Sequence, residues 1–85
     1  MDATIVDGNV LAGMLSEMFE TDATMLAGSC GGCGAEALLA EAVVELDDAA
    51  AIVRCRSCTH TLLTVLRTPQ GMRVVFGALA ELRSG

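Results

Sequence analysis

The sequence predicts a small α+β domain that is held together by a metal ion, with an N-terminal amphipathic helix and an antiparallel sheet of four to five strands. Three observations predict this fold: apolar residues recur at helical spacing near the N-terminus, short segments rich in β-branched residues follow, and four cysteines occur as two Cys-x-x-Cys pairs. With 85 residues, 53% of them hydrophobic and 19% charged, the chain is expected to fold as a single domain over residues 1–85.

The N-terminal helix is predicted over residues 7–20. Asp7 or Asn9 is the candidate N-cap, because a side-chain oxygen of either residue accepts hydrogen bonds from the free amides of a first helical turn. Polar side chains fall on one side of this segment. The other side is an apolar stripe of Val10, Leu11, Met14, Leu15, Met18 and Phe19.

The sheet is predicted over residues 24–76. Asp47-Asp48 is the expected reversal inside it, and Thr68-Pro69-Gln70-Gly71 is expected to close a hairpin, since Pro at the second position and Gly at the fourth suit a β-turn. Residues 77–83 fit one helical turn or a last extended piece equally well. The predicted strands are residues 24–29, 37–46, 50–54, 61–68 and 72–76.

The four cysteines are the candidate metal ligands. Cys30 and Cys33 form the first pair, and Cys55 and Cys58 form the second, with 21 residues between the pairs. Two residues between thiolates allow one tight turn to present both sulfurs to a single ion. Two such turns at the ends of two hairpins complete a closed tetrahedral site, which predicts a zinc-ribbon-like sheet.

The residues beside the two pairs fit a metal site. Gly34 follows the first pair, where a knuckle turn commonly demands a positive φ, whereas Thr59 at the equivalent place predicts a less demanding second turn. Arg54 and Arg56 flank the second pair and are expected to offset the negative charge of a four-thiolate centre. For His60, ligation or a hydrogen bond to a cysteine is weighed against simple solvation, the commoner state of a histidine at a strand edge.

Zinc is the expected cofactor, with one ion per chain. The alternative is iron in the same four sulfurs, as in a rubredoxin-like electron carrier. Iron sites of this geometry usually lie under aromatic side chains, and this chain has only Phe19 and Phe76. Disulfide or free-thiol redox chemistry is the third possibility, including a thiol switch that loses zinc on oxidation.

Several motifs along the chain also occur in a known group of proteins. These motifs are Asp7-Gly8-Asn9-Val10-Leu11-Ala12-Gly13, Cys30 with Cys33-Gly34, Arg54-Cys55 with Cys58, and Arg67-Thr68-Pro69. With them, nearly the full chain resembles a group of small, uncharacterised bacterial proteins that carry a four-cysteine zinc-ribbon-like domain. Met72 departs from the group, which has an aromatic residue after the Arg-Thr-Pro turn. The resemblance implies the metal fold and no established activity.

Charge restricts the possible partners. Residues 1–48 hold ten acids and no base, whereas residues 49–85 hold all five arginines and one acid, Glu81. We therefore expect local ion pairing between the two halves, and direct binding to nucleic acid is disfavoured by the net charge of -6. A zinc-ribbon factor associated with transcription or nucleic acid stays as an alternative, on the condition that certain arginines gather on one face. Those arginines are Arg54, Arg56, Arg67 and Arg73.

The remaining motifs predict a protein that is not an enzyme. The single histidine adjoins the cysteines, no Gly-Lys-Ser/Thr follows the glycines, and Glu36, Glu41 and Glu45 fit a solvated strand face better than a catalytic one. A closed ligand set also leaves a metal no open position for a small-molecule substrate. We expect a non-catalytic interaction or regulatory module whose helix stripe or sheet edge binds a protein partner or a second copy.

A cytoplasmic protein is expected from the termini and the hydropathy. The first residues contain no Lys or Arg and no apolar run of signal-peptide length. The longest uncharged stretch, residues 23–35, is shorter than the roughly 20 apolar residues that a membrane-spanning helix needs. No membrane segment is expected.

Overall fold

The computed structural model describes residues 4–16 and 22–84. Eight strands form two antiparallel sheets within these residues. A five-stranded sheet has the order β1-β4-β5-β6-β7, and a three-stranded sheet has the order β3-β2-β8. The strands are β1 (Thr4–Asp7), β2 (Ala27–Cys30), β3 (Glu36–Leu38), β4 (Val43–Leu46), β5 (Ala50–Arg54), β6 (Thr61–Thr68), β7 (Gly71–Phe76) and β8 (Leu79–Arg83).

The helical segments are short. In the described ranges, the α-helix α1 covers Leu11–Met14, and three single turns are 3-10 helices at Gly8–Val10, Ala23–Met25 and Leu39–Glu41. Asp7 is the N-cap of the first 3-10 helix, because its Oδ1 accepts a hydrogen bond from the backbone N–H of Asn9 at 3.0 Å. Over the described ranges, no helix has the length and apolar character needed to cross a membrane.

The prediction of an α+β fold with an N-terminal amphipathic helix of about three turns is wrong. The described part of the chain is mostly strand, and Leu15 donates the last helical hydrogen bond, to the Leu11 oxygen at 2.9 Å. The Ser16 hydroxyl then donates to the Gly13 carbonyl at 2.9 Å, an acceptor that a further helical turn would need. Met18 and Phe19, also predicted in the stripe, lie outside the described residues.

The first half of the predicted stripe nevertheless faces the core. Leu11 and Leu15 are fully buried against the inner face of the five-stranded sheet, with Val44, Val53 and Val65 among the largest buried side chains. Residues 4–7, for which no strand was predicted, form β1. This strand pairs with β4 in antiparallel register. Thr4, Ile5 and Val6 supply the β-branched side chains that favour a strand there.

The single strand predicted over residues 37–46 is instead split between the two sheets. The 3-10 helix Leu39–Glu41 interrupts it, because Oε2 of Glu41 accepts the Leu38 backbone N–H at 3.0 Å while Leu39 turns into the core. By contrast, the strands predicted at residues 50–54 and 61–68 have the predicted bounds. Residues 79–83, left open between helix and strand, form β8 and pair with β2.

Candidate metal centre

Two turns of the same construction carry the four cysteines. The first knuckle, residues 30–35, joins β2 to β3, and the second knuckle, residues 55–60, joins β5 to β6. In each knuckle the first cysteine donates its N–H to the sixth residue at 2.9 Å, and its carbonyl accepts from the fifth residue at 2.8 or 2.9 Å. The prediction of two Cys-x-x-Cys turns at the ends of two hairpins therefore matches the observed backbone.

The four sulfurs form one cluster. Their Sγ atoms all lie within 4.8 Å of one another. The Sγ atoms of Cys30 and Cys58 are 3.5 Å apart, and those of Cys33 and Cys55 are 3.7 Å apart. A tetrahedral zinc with Zn–S bonds near 2.3 Å has sulfur–sulfur edges of about 3.8 Å. The four sulfurs and their spacing thus fit a metal ion that prefers tetrahedral coordination.

The two cysteines within each pair differ in depth, and backbone amides donate hydrogen bonds to the sulfurs. Cys30 and Cys55 are buried, whereas Cys33 is exposed and Cys58 is half-buried. The backbone N–H of Gly32 donates to the Cys30 Sγ at 3.3 Å. Amides aimed at sulfur stabilise thiolate over thiol, which is the form that ligates a metal.

The thiols of the second knuckle have displaced pKa values. The backbone N–H groups of Cys58 and Ser57 donate to the Cys55 sulfur and lower the pKa of that thiol to about 7, against the opposing effect of burial. At Cys58 the backbone N–H of His60 acts in the same direction, but burial and the three neighbouring thiols outweigh it. The pKa of Cys58 is raised to about 12. The surroundings of this knuckle therefore favour the thiolate at Cys55 over the thiolate at Cys58.

His60 contacts both knuckles. Its Nδ1 lies 3.0 Å from the Cys58 Sγ, and its ring covers Gly32, where an added Cβ would lie 2.8 Å from the same nitrogen. Of the two roles weighed for this histidine, the structure shows the hydrogen bond to a cysteine. The contact with Gly32 was not predicted, because no sequence pattern links a residue of one knuckle to the ring of the other.

The second knuckle has the same backbone conformation as the first, so the prediction of a less demanding turn there is wrong. Thr59 has a φ of 66° and Gly34 a φ of 79°. A positive φ is a genuine outlier for a β-branched residue. The Thr59 Oγ1 donates to the Cys58 carbonyl at 2.6 Å, and Nη1 of Arg54 reaches the Thr59 carbonyl at 3.5 Å.

Ion pairs join the acidic and basic halves, as expected from the charge pattern. Nε of Arg54 donates to Oε1 of Glu45 at 2.7 Å between adjacent strands of the five-stranded sheet, and Arg83 pairs with Glu36 on the three-stranded sheet. Arg83 also pairs with Glu81, which belongs to the same half of the chain as Arg83.

The arginines considered for nucleic acid do not share a face. In the β6–β7 hairpin, Arg67 stands opposite Met72 and Leu66 opposite Arg73, which places the two arginines on opposite sides of the sheet.

The comparisons with known proteins identify the family. No curated protein and no solved structure matches this chain. A family of unknown function, DUF6510, matches residues 1–84, which agrees with the resemblance to small uncharacterised proteins. The chain therefore belongs to this family, DUF6510, whose function is unknown.

Proposed function

We propose that this chain is a non-catalytic, zinc-stabilised module that acts in the cytoplasm by binding a protein partner or a second copy of itself. Cys30, Cys33, Cys55 and Cys58 are the proposed ligands of one zinc ion per chain. The observation that carries the proposal is the clustering of their sulfurs within 4.8 Å.

The position of the cluster supports a structural role. The first knuckle belongs to the three-stranded sheet and the second to the five-stranded sheet. One ion held by both knuckles would join the two sheets by four metal–sulfur bonds. A four-cysteine set leaves no open coordination position, which is typical of structural rather than catalytic zinc. In small metal domains of this kind the free energy of metal binding supplies most of the free energy of folding.

An apolar surface supports a role in binding protein. Adjacent strands of the five-stranded sheet place Ile5, Glu45, Ile52, Thr64 and Val75 in one row across its outer face. Ile5 and Val75, at the two ends of this row, are 62% and 48% exposed. Phe76, 63% exposed, points to the other face of the edge strand β7, where it pairs with Leu63. Large apolar side chains exposed on a sheet face favour contact with another protein surface. The separation of Arg67 from Arg73 favours a protein partner over a nucleic acid.

Chelation tests the structural role of the metal. The protein is purified without added metal, and its thermal unfolding is recorded before and after treatment with a strong zinc chelator. We expect the treated protein to lose its cooperative transition and to regain it when one equivalent of zinc is added. A chelated protein that keeps the same far-ultraviolet spectrum and melting temperature would contradict the proposal. Cys30→Ser is the matched variant, and it should behave like the chelated protein.

A further inference from the structure

We infer that a cavity beside the metal centre is a binding site for a small aliphatic α-amino acid in its zwitterionic form. The cavity has a volume of about 210 Å³ and lies between the β2–β3 hairpin, the 3-10 helix Leu39–Glu41 and the second knuckle. This inference goes beyond the proposed structural role of the metal, because it assigns a ligand to a different part of the surface.

The cavity is distinct from the space between the four sulfurs. Cys30 and Cys55 line it, but Cys33 and Cys58 do not. A metal bound by all four cysteines would therefore sit behind one wall of the cavity and leave it open. The two lining cysteines are the buried ones, so the cavity adjoins the inner side of the metal centre.

The inner wall of the cavity is apolar. Leu39, Ala42 and Leu62 are buried core residues that line it, together with Gly28. A Cβ at Gly28 would lie 2.9 Å from Leu79, so the small residue there also maintains close packing between β2 and β8. An aliphatic group that packed against this wall would be transferred from water to an apolar surface, which is favourable.

Charges of both signs surround the cavity. Glu36 and Glu41 line one part of it, and Arg56 and Ser57 line another, all four being exposed. Among the described residues, neither Arg56 nor Ser57 makes a side-chain hydrogen bond, so the guanidinium and the hydroxyl have donors to offer a carboxylate.

The two glutamates retain capacity for an ammonium group. Glu36 is paired with Arg83, and Glu41 accepts the Leu38 amide through Oε2. A carboxylate has about four acceptor positions, so each glutamate can accept a further donor. A zwitterion uses both signs of charge, whereas an anion alone would face the glutamates and a four-thiolate centre without a compensating ammonium group.

The volume sets the size of the ligand. At about 210 Å³ the cavity is smaller than the roughly 300–1,000 Å³ pockets that hold drug-sized ligands, which favours a small ligand. Alanine, valine and leucine are small aliphatic amino acids of this kind. Valine combines a branched aliphatic side chain with the zwitterionic head and is the first ligand to test.

The test is a titration of the metal-loaded full chain, followed by the amide resonances of Leu39, Ala42 and Ser57 in two-dimensional NMR. Three probes are compared: valine, isobutylamine, which lacks the carboxylate, and 3-methylbutanoate, which lacks the ammonium group. We expect valine to bind with a Kd of about 1 mM or tighter, and each truncated probe to bind at least about tenfold more weakly. Glycine, which lacks an aliphatic side chain, should also bind more weakly.

Two variants identify the charge partners. Arg56→Gln should abolish the preference for valine over isobutylamine, and Glu41→Gln should reduce the preference for valine over 3-methylbutanoate. Arg67→Gln, an exposed arginine remote from the cavity lining, is the matched control and should leave all affinities unchanged.

Metal content is measured for every sample, so a failure of the zinc proposal is visible separately from a failure to bind ligand. The inference is overturned if valine causes no shift at these amides up to about 20 mM, or if both truncated probes bind as well as valine.

Discussion

Gly34 and Thr59 occupy the same position of the two cysteine knuckles and share a left-handed backbone, with φ values of 79° and 66°. Each donates its N–H to the carbonyl of the first cysteine of its knuckle, at 2.8 and 2.9 Å respectively. The turn around the metal centre thus imposes one conformation on both hairpins. Glycine adopts it freely, whereas threonine holds it under strain.

This relationship predicts opposite responses to substitution. Gly34→Ala places a Cβ on a left-handed residue and should lower the free energy of unfolding by about 1–2 kcal/mol. Thr59→Gly relieves the same strain, so it should be neutral or stabilising by up to about 1 kcal/mol after the entropic cost of glycine. Guanidinium unfolding of the metal-loaded variants measures both changes. A Thr59→Gly variant less stable than Gly34→Ala would show that the threonine side chain is needed for more than the turn.

Two glycines near the N-terminus, Gly8 and Gly13, test the close approach between the N-terminal turn and the core. An added Cβ at Gly8 would lie 1.6 Å from the Leu39 carbonyl oxygen, whereas one at Gly13 would meet no atom of the described residues within 4 Å. Gly8→Ala should therefore destabilise the protein by about 1–3 kcal/mol through overpacking. Gly13→Ala is the control, and it should stabilise α1 by up to about 1 kcal/mol. Equal effects of the two substitutions on the melting temperature would refute the close packing at Gly8.

His60 is expected to tune the affinity for metal without acting as a ligand. Its Nδ1 contacts the Cys58 Sγ at 3.0 Å, and groups that hydrogen-bond to ligands typically change metal affinity 10–100-fold. His60→Ala should keep one metal per chain but bind it about tenfold more weakly in competition with a chromophoric chelator. His60→Phe keeps a ring over Gly32 and should show the same loss. If the phenylalanine variant binds metal like the native protein, packing rather than the hydrogen bond is responsible.

Zinc affinity should fall as the pH falls. Ligation requires thiolates, and the raised pKa of Cys58, about 12, keeps this thiol protonated across the neutral range in the metal-free chain. Its proton must leave on binding, so the apparent Kd should rise at least about tenfold for each unit of pH lost between about pH 8 and pH 6. Cys55 has a pKa of about 7, so at pH values below about 7 its proton must also leave, and the apparent Kd rises more steeply as the pH falls. A pH-independent affinity would contradict four-thiolate ligation.

The clustering of the four cysteines could be predicted from the sequence, because their paired spacing indicates one shared site. Two residues between cysteines require a tight turn, so β5 ends where the second pair begins, and the β-branched residues after that pair predict β6. The Pro69-containing turn likewise joins β6 to β7, where Thr68 pairs with Gly71. These features depend on local chemistry and need no knowledge of distant contacts.

The errors of prediction occur where distant contacts override local pattern. Leu11 and Leu15 are apolar at helical spacing, which predicted a helix of three turns. The single short turn of α1 is enough to bury both side chains. Residues 37–46 alternate like one strand, yet Leu39 enters the core and divides them between two sheets. Thr59 adopts a conformation that its type disfavours because the knuckle geometry demands it.

The central claim is tested most directly by elemental analysis and a visible spectrum of one sample, purified without added metal and without a nickel column. We predict one zinc per chain and no visible absorption. Cys55→Ser serves as the control and should contain less than one equivalent. One iron per chain with visible thiolate-to-metal bands would make the site an electron carrier, and a chain that contains no metal and keeps its cooperative fold would contradict the account altogether.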